Sequence, residues 1–323
     1  MNTSWWKCLC QVFAVAALGA VLAGSASAAV PESTDPIKIG WMNFTGAQVS
    51  AKIVGTILER MGYKVEYLPI TEDAQWQALE DEDMNLQAEQ WLVTQRHNYE
   101  KQLAKGAIVE LGLNGIVGQE GWYYPKYVEV KCPGLPKWEA LQKCGELFST
   151  AETAPKGRVV DYPEEWTPDS AKWIEALNLP LQPVPAGGEG ALVAEIKSAF
   201  ARQAPVMVMF WKPHWALLEY EMGVVEFPTW DEACETDPKW GVNPDKTFDC
   251  GPPIPRIVKF SSPEFPKKWP TAFEVAKRFK IDNTIQQGLM KSIEVDKVDT
   301  DVAVKEWLDK NEAVWKPWVE GLN

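Results

Sequence analysis

Short apolar runs alternate with segments of helical periodicity along most of the chain. Residues 37–41 form an apolar run ending in Gly-Trp, which predicts a buried strand, and residues 48–62 carry apolar side chains at helical spacing, which predicts a helix. The alternation continues to residue 111 and restarts over residues 159–211. Strands that alternate with helices indicate mostly parallel sheets flanked by helices, and two such series predict two α/β lobes.

Residues 229–255 interrupt this pattern. They contain two Cys, five Pro and several acidic residues without periodicity, which predicts an inserted loop of unusual length. Three segments with helical periodicity follow, at residues 271–279, 283–292 and 301–308. The C-terminal part of the chain is therefore predicted to be helical.

The first 28 residues have the pattern of a secretory signal peptide. Lys7 is their only charge, an apolar run covers residues 12–22, and Ala26-Ser27-Ala28 forms a small-x-small cleavage site. The run is shorter than the roughly 20 apolar residues that span a bilayer. We therefore expect a soluble protein, exported to the periplasm, that begins near Ala29.

Four Cys follow this segment, and an even number in an exported protein suggests disulfides. Four Cys allow three pairings. We favour the local pairs Cys132–Cys144 and Cys234–Cys250, because each pair brackets its own loop. A zinc site is the alternative, although the chain has no CxxC spacing.

The composition excludes some functions and points to others. A net charge of −13 disfavours nucleic-acid binding, and only two His disfavour a His-rich metal site. The chain has 17 Trp, and Trp41, Trp91 and Trp211 each stand at the end of a predicted strand. Ligands of open α/β sheets bind beyond the carboxyl ends of the strands, so these side chains can face a ligand instead of the core.

Aromatic faces at such a site suit a quaternary ammonium ligand. Each face contributes roughly 0.5–2 kcal/mol when water is excluded. Stacking on a sugar is the competing use of Trp, but these strand ends have few of the polar side chains that a sugar site needs. Packing in the core remains open for any single Trp.

Six segments together resemble one known family. They are GWMNFT at 40–45, EQW at 89–91, GWYYPKYV at 121–128, DYPEEW at 161–166, EGAL at 189–192 and FWKPH at 210–214. From about residue 36 to its C-terminus, with the loop 229–255 as an interruption, the chain resembles the periplasmic substrate-binding proteins of ABC importers for glycine betaine, choline and trimethylamine N-oxide.

The resemblance implies a type II-like periplasmic-binding-protein fold that closes on a ligand between its lobes. Residues 29–117 and 256–323 would form the first lobe, and residues 118–255 the second. It also implies a monomer without a cofactor or enzymatic activity, which delivers its ligand to a membrane permease. The aromatic cage would consist of five Trp, namely Trp41 and Trp91 from the first lobe and Trp122, Trp166 and Trp211 from the second.

The polar end of the ligand is expected to meet an acidic residue. Choline binders of this family have an acid where this chain has Asn43, which disfavours choline. Glu164 and Glu165 stand where other members have small or amide residues. If one of them faces the ligand, it would repel the carboxylate of glycine betaine. The alternative is that both are solvated acids at the start of a helix, where negative charge is favourable. Glu120, two residues before Trp122, is a weaker candidate.

These features, together with the Cys-bracketed loop, which looks like that of trimethylamine N-oxide binders, favour trimethylamine N-oxide as the ligand. Glycine betaine and choline remain alternative ligands. A less favoured alternative function is an exported carbohydrate-acting hydrolase with two catalytic carboxylates. The chain has no G-x-S-x-G motif.

The inserted loop also carries oxygen ligands that suit a structural Ca²⁺ ion. They are Glu235, Asp237, Asn243, Asp245 and Asp249, whose spacing does not match an EF-hand. A solvated acidic loop without a metal is the alternative.

Overall fold

A computed structural model describes residues 30–322. The predicted signal peptide at residues 1–28 lies outside this range. Across residues 30–322, none of the helices is both long enough and apolar enough to cross a membrane.

The described chain contains eleven strands and thirteen α-helices. The strands are β1 (Ile37–Trp41), β2 (Val65–Pro69), β3 (Leu86–Trp91), β4 (Val109–Leu113), β5 (Gln119–Pro125), β6 (Pro133–Pro136), β7 (Gly157–Asp161), β8 (Leu181–Pro185), β9 (Met207–Lys212), β10 (Met222–Val224) and β11 (Ile257–Ser261). The helices are α1 (Thr45–Arg60), α2 (Ala74–Glu80), α3 (Arg96–Lys105), α4 (Leu141–Cys144), α5 (Ser170–Ala176), α6 (Glu189–Arg202), α7 (Ala216–Glu219), α8 (Glu232–Thr236), α9 (Phe265–Lys268), α10 (Pro270–Arg278), α11 (Asn283–Glu294), α12 (Thr300–Lys310) and α13 (Glu312–Val319).

The first lobe is built on a five-stranded sheet in the order β2-β1-β3-β11-β4. Strand β1 runs parallel to β2 and β3, whereas β11 runs antiparallel to β3 and β4. All residues of β3 are buried. Helix α1 is buried around most of its circumference because it packs between this sheet and the C-terminal helices α11 and α12.

The second lobe is built on a sheet in the order β10-β5-β9-β7-β8. Here β7 runs parallel to β8 and β9, and β5 runs antiparallel to β9 and β10. The two-lobed α/β fold predicted from the sequence is confirmed. The carboxyl ends of β1, β2 and β3 and those of β7 and β9 carry the residues that face the cleft between the lobes.

The strand directions agree with the predicted mostly parallel sheets, because four of the five strands in each sheet point the same way. The fifth strand, β11 in the first lobe and β5 in the second, runs antiparallel to both of its neighbours. Strand β11 is absent from the sequence prediction, since Lys259 interrupts its apolar run. This Lys is buried and its Nζ donates to the carbonyl oxygens of Ala276, Lys277 and Phe279 at the end of α10, at 2.5–2.9 Å.

Both predicted disulfides, Cys132–Cys144 and Cys234–Cys250, are confirmed. The second one closes the inserted loop 229–255, whose single helix is the short α8.

Candidate functional site

A cavity lies between the lobes where strands of both sheets end. Its walls are mostly aromatic and also contain two carboxyl groups. The lining residues are Phe44, Glu72, Trp91, Thr94, Glu120, Tyr162, Trp166 and Trp211. None of these wall residues, all within the described chain, is Lys or Arg. The cavity therefore suits a small ligand with an apolar, cationic part and no net negative charge.

Four of the aromatic rings hold one another at fixed angles. The ring centroids of Trp166 and Trp211 are 5.8 Å apart, and Tyr162 lies 5.2 Å from Trp166 and 5.7 Å from Trp211. Phe44, from the first lobe, lies 5.8 Å from Trp166 and 6.4 Å from Trp211. All five contacts are edge-to-face, the arrangement that aromatic quadrupoles favour. Tyr162, Trp166 and Trp211 thus form an aromatic wall on the second lobe, and Phe44 joins it across the cleft.

Trp91, at the end of β3, also lines the cavity. Its indole Nε1 donates to Glu89 Oε1 at 2.9 Å. Its ring lies against Gly118, where a Cβ atom would come within 2.6 Å of the ring. Only a glycine at this position leaves room for the indole.

Glu72 and Glu120 bring two buried carboxyl groups to the aromatic cavity. Burial raises the pKa of each to about 8, and the charge of Glu72 adds to the increase at Glu120, which hydrogen bonding with Tyr162 partly offsets. Within the described structure, the Oε2 atoms of both residues are buried without a hydrogen-bond partner. At neutral pH both groups are therefore mainly protonated, and each can donate a hydrogen bond to a ligand.

Two sets of polar contacts join the lobes beside the cavity. Asn43 Oδ1 accepts a hydrogen bond from Trp166 Nε1 at 2.9 Å, and Asn43 Nδ2 donates to Glu165. Glu189 Oε2 accepts from both the backbone N and the hydroxyl of Thr45. Asn43 and Thr45 flank the cavity residue Phe44. The hydrogen bonds that join the lobes therefore also hold Phe44 in its position at the cavity.

Of the five predicted cage residues, the structure brings Trp91, Trp166 and Trp211 together at the cavity. Trp41 lies elsewhere, because its ring packs against Tyr67 of the outer strand β2, with 5.2 Å between centroids. Phe44, three residues later, occupies the cavity wall instead.

Trp122 is also placed away from the cavity. It is fully buried, donates from Nε1 to Ser170 Oγ at 2.9 Å and packs against Trp173 and Phe227. The reason is the direction of β5: this strand starts at the cleft, so Glu120, which pairs directly with Trp211, faces the cavity and Trp122 lies deeper in the lobe.

The two acids predicted to meet the ligand lie outside the cavity wall. Glu164 and Glu165 are both exposed in the short 3-10 turn after β7, and Glu165 accepts a hydrogen bond from Asn43. The cavity acids are Glu120, the weaker candidate from the sequence, and Glu72, which the sequence analysis missed. Glu72 follows the end of β2 by three residues, so the strand-end rule applied to β2 could have found it.

Phe44 and Tyr162 were also missed as site residues, although both occur in the segments that carry the family resemblance. The signal was their position shortly after a strand: Phe44 comes three residues after the end of β1, and Tyr162 follows β7 directly. Thr94, after β3, completes the wall.

The predicted Ca²⁺ site finds no support. Across residues 30–322, no three His, Cys, Asp or Glu side chains are grouped as a metal site requires. The predicted ligands have other partners: Glu235 pairs with Arg96 at 2.7 Å, Asn243 Nδ2 donates to Ala176 O, and Asp249 Oδ2 accepts from Asn243 N. Asp237 and Asp245 are exposed in the loop.

Comparison with known proteins agrees with this geometry. The family described as the substrate binding domain of ABC-type glycine betaine transport systems matches residues 35–310. The chain is 30% identical over 307 residues to the trimethylamine N-oxide-binding protein of Pelagibacter ubique (strain HTCC1062), covering 92% of this chain and 94% of that protein.

Solved structures show the same fold. The glycine betaine/L-proline-binding protein ProX of Borrelia burgdorferi superposes with a TM-score of 0.72 at 20% identity, over 89% of this chain and 97% of that one. Lactococcal OpuAC, closed on glycine betaine, gives 0.68 at 15% identity, over 88% and 100% of the two chains. The chain therefore belongs to the family of substrate-binding domains of ABC-type glycine betaine transport systems.

Proposed function

We propose that this protein binds trimethylamine N-oxide outside the cytoplasm and delivers it to the permease of an ABC importer. The family assignment supports binding and delivery, and the similarity to the trimethylamine N-oxide-binding protein of Pelagibacter ubique supports this ligand. Export is supported by the signal-peptide pattern of residues 1–28, and the site residues are Phe44, Glu72, Trp91, Glu120, Tyr162, Trp166 and Trp211.

The aromatic wall suits the trimethylammonium part of such a ligand. Its three methyl groups share the positive charge of the nitrogen and would contact the rings of Trp91, Trp166, Trp211 and Tyr162. At roughly 0.5–2 kcal/mol a ring, four rings give about 2–8 kcal/mol, and micromolar affinity requires about 8 kcal/mol. A polar contact to the other end of the ligand is therefore needed.

The observation that carries the choice of ligand is the pair of buried carboxyl groups in the cavity wall whose Oε2 atoms have no hydrogen-bond partner within the described structure. An N-oxide oxygen accepts hydrogen bonds and has no proton to donate. Glu72 and Glu120, each with a pKa raised to about 8 and an unpartnered Oε2 within the described structure, supply donors for that oxygen. The ligand oxygen would also satisfy a buried polar atom that otherwise costs free energy.

Choline is the second candidate, since a cation next to two carboxyl groups favours their ionised form. Binding of choline would then release a proton, whereas binding of trimethylamine N-oxide would keep the carboxyl proton in place. Glycine betaine fits less well, because its carboxylate carries a full negative charge and the wall has no basic residue to pair with it.

Isothermal titration calorimetry with the three ligands tests the proposal. Each titration is run at pH 7 in two buffers that differ in ionisation enthalpy, so that proton release is measured along with affinity. We expect the tightest binding for trimethylamine N-oxide, with the same enthalpy in both buffers. Tightest binding of choline with release of about one proton would instead identify choline as the ligand.

Failure of all three ligands to bind would contradict the proposal. NMR of the ligand after prolonged incubation distinguishes a binding protein from the alternative hydrolase, because a binding protein returns its ligand unchanged. Size-exclusion chromatography with light scattering tests the expected monomer.

A further inference from the structure

We propose that Glu89 is a positioning residue that fixes the orientation of Trp91 and ties it to the segment through which the chain leaves the first lobe. The role in ligand affinity rests on the proposed function, whereas the role in orienting the indole does not.

Glu89 and Trp91 lie two residues apart on β3, so their side chains share one face of the sheet. Glu89 is almost completely buried. Its Oε1 accepts from Trp91 Nε1 at 2.9 Å. Its Oε2 accepts from Ser50 Oγ at 2.6 Å, Gln286 Nε2 at 2.7 Å and Asn114 Nδ2 at 3.3 Å.

This set of partners requires an acceptor at both oxygens. The indole N–H and the two amide NH₂ groups can only donate, and together with the Ser50 hydroxyl they use both sides of the carboxylate. Burial raises the pKa of Glu89, and the four hydrogen bonds act in the opposite direction. A Gln at this position would turn its own NH₂ towards at least one of these donors. A neutral side chain of the same shape therefore cannot accept all four hydrogen bonds.

The partners of Glu89 come from separate parts of the first lobe. Ser50 belongs to α1, Gln286 to α11, and Asn114 follows β4 at the start of the crossing to the second lobe. Asn114 is itself fixed: its backbone N donates to Ile257 O at 3.1 Å, and its carbonyl accepts from Ile281 N at 2.9 Å.

Trp91 touches the same crossing at a second point. Gly118, four residues after Asn114, lies directly against the indole ring. The cage residue is therefore held between Glu89, which reaches Asn114 by hydrogen bond, and Gly118, which contacts the ring. A change in the direction in which segment 114–118 leaves the first lobe would shift the indole of Trp91. Conversely, a ligand bound to the indole would favour one direction of this segment.

The test uses the ¹⁵N–¹H resonance of the Trp91 indole, identified as the peak that disappears in Trp91→Phe. In Glu89→Gln the one remaining acceptor oxygen should face the side with three donors, Ser50, Gln286 and Asn114, so that the NH₂ group faces the indole N–H of Trp91. We therefore expect this resonance to move and its hydrogen exchange to become at least about tenfold faster. Ser50→Ala is the matched control: it removes one bond to the same carboxylate and leaves the bond to Trp91. An unchanged Trp91 resonance in Glu89→Gln overturns the proposal.

The affinity arm is a double-mutant cycle with trimethylamine N-oxide as the probe. Glu89→Gln should weaken binding about tenfold or more in the native background and less than about threefold when Trp91 is already Phe. Equal effects in both backgrounds would show that Glu89 acts on the core alone and would overturn the inference. If Glu89→Gln does not fold, Glu89→Asp, which keeps the charge at a shorter reach, is measured in the same cycle with the same criterion.

If the native protein does not bind trimethylamine N-oxide, the proposed function fails, and the resonance arm still decides the role of Glu89.

Discussion

Glu189 of the second lobe caps the first helix of the first lobe through Thr45. Its Oε2 accepts from the backbone N of Thr45 at 2.7 Å and from the Thr45 hydroxyl at 2.9 Å. Thr45 is the first residue of α1, and the preceding Phe44 offers no polar side chain to cap the helix. Glu189 Oε1 is held by His214 Nε2 at 2.8 Å, and His214 Nδ1 accepts from Ala216 N, so Nε2 carries the proton.

This contact exists only while the lobes are together, so its loss should speed ligand release. For Glu189→Gln we expect the dissociation rate to rise about tenfold, because charge-assisted hydrogen bonds contribute roughly 1.5–3 kcal/mol. Stopped-flow Trp fluorescence measures the rate. The control is Glu195→Gln on the same helix, whose partner Arg158 belongs to the second lobe. Equal dissociation rates in Glu189→Gln and the native protein would contradict the prediction.

One predicted cage residue at the cavity and one away from it provide a direct test of the site. Trp211→Ala should weaken binding by about tenfold or more, since a cavity ring is lost. Trp41→Phe should leave the affinity within about threefold, because the ring of Trp41 packs against Tyr67. Calorimetry measures both, and circular dichroism checks that each variant is folded. A large loss in Trp41→Phe would restore the site predicted from the sequence.

The pH dependence of stability reports on the two buried carboxyl groups. In the unfolded chain they titrate near 4.3, whereas in the folded protein burial raises the pKa of both to about 8. Below about pH 4 both states are protonated and the contribution to stability is complete. Between these values the folded state retains protons that the unfolded state has released, so the free energy of unfolding falls as pH rises through about 8.

Glu120→Gln, which does not titrate, should therefore gain stability relative to the native protein as pH rises. We expect the difference in unfolding free energy between the two to change by roughly 2–4 kcal/mol from pH 4.5 to 8.5, measured by guanidinium titration of the ligand-free protein. Glu164→Gln, at an exposed carboxylate, is the control and should show no such change. Parallel pH profiles for Glu120→Gln and the native protein would exclude a raised pKa at Glu120.

The fold and half of the site could be predicted because they depend on local pattern. Trp91 and Trp211 end apolar strands, and the ends of such strands meet at one edge of the sheet. Trp122 could not be placed in this way, since its position depends on β5 running antiparallel to β9. Strand direction depends on which strands pair across more than 80 residues of sequence, and a local hydrophobic pattern carries no information about that.

The acids illustrate the same limit. Glu164 and Glu165 lie close in sequence to the cavity residue Trp166, yet the 3-10 turn that contains them directs both into solvent. Glu72 lies far in sequence from every predicted site residue and reaches the cavity only through the assembled cleft. Proximity along the chain therefore pointed to carboxylates other than the two that line the cavity.

A third set of interlobe contacts involves the inserted loop. Arg96 of α3, in the first lobe, pairs with Glu235 of α8 at 2.7 Å, and its guanidinium lies 5.2 Å from the ring centroid of Trp230. Trp230 Nε1 donates to the other oxygen of Glu235 at 2.8 Å. The disulfide Cys234–Cys250 begins next to Glu235 and fixes the base of this loop.

Arg96→Gln should therefore weaken ligand binding about three- to tenfold by favouring the open cleft, because it removes a largely buried ion pair and a cation–π contact between the lobes. The matched control is Lys246→Gln, which breaks the exposed pair with Glu175 inside the second lobe. Small-angle scattering of the ligand-free variants should show a larger radius of gyration for Arg96→Gln alone. Identical affinity and radius of gyration in Arg96→Gln and the native protein would contradict the prediction. The contacts of Thr45 with Glu189 and of Asn43 with Trp166 would then be sufficient to hold the cleft closed without the inserted loop.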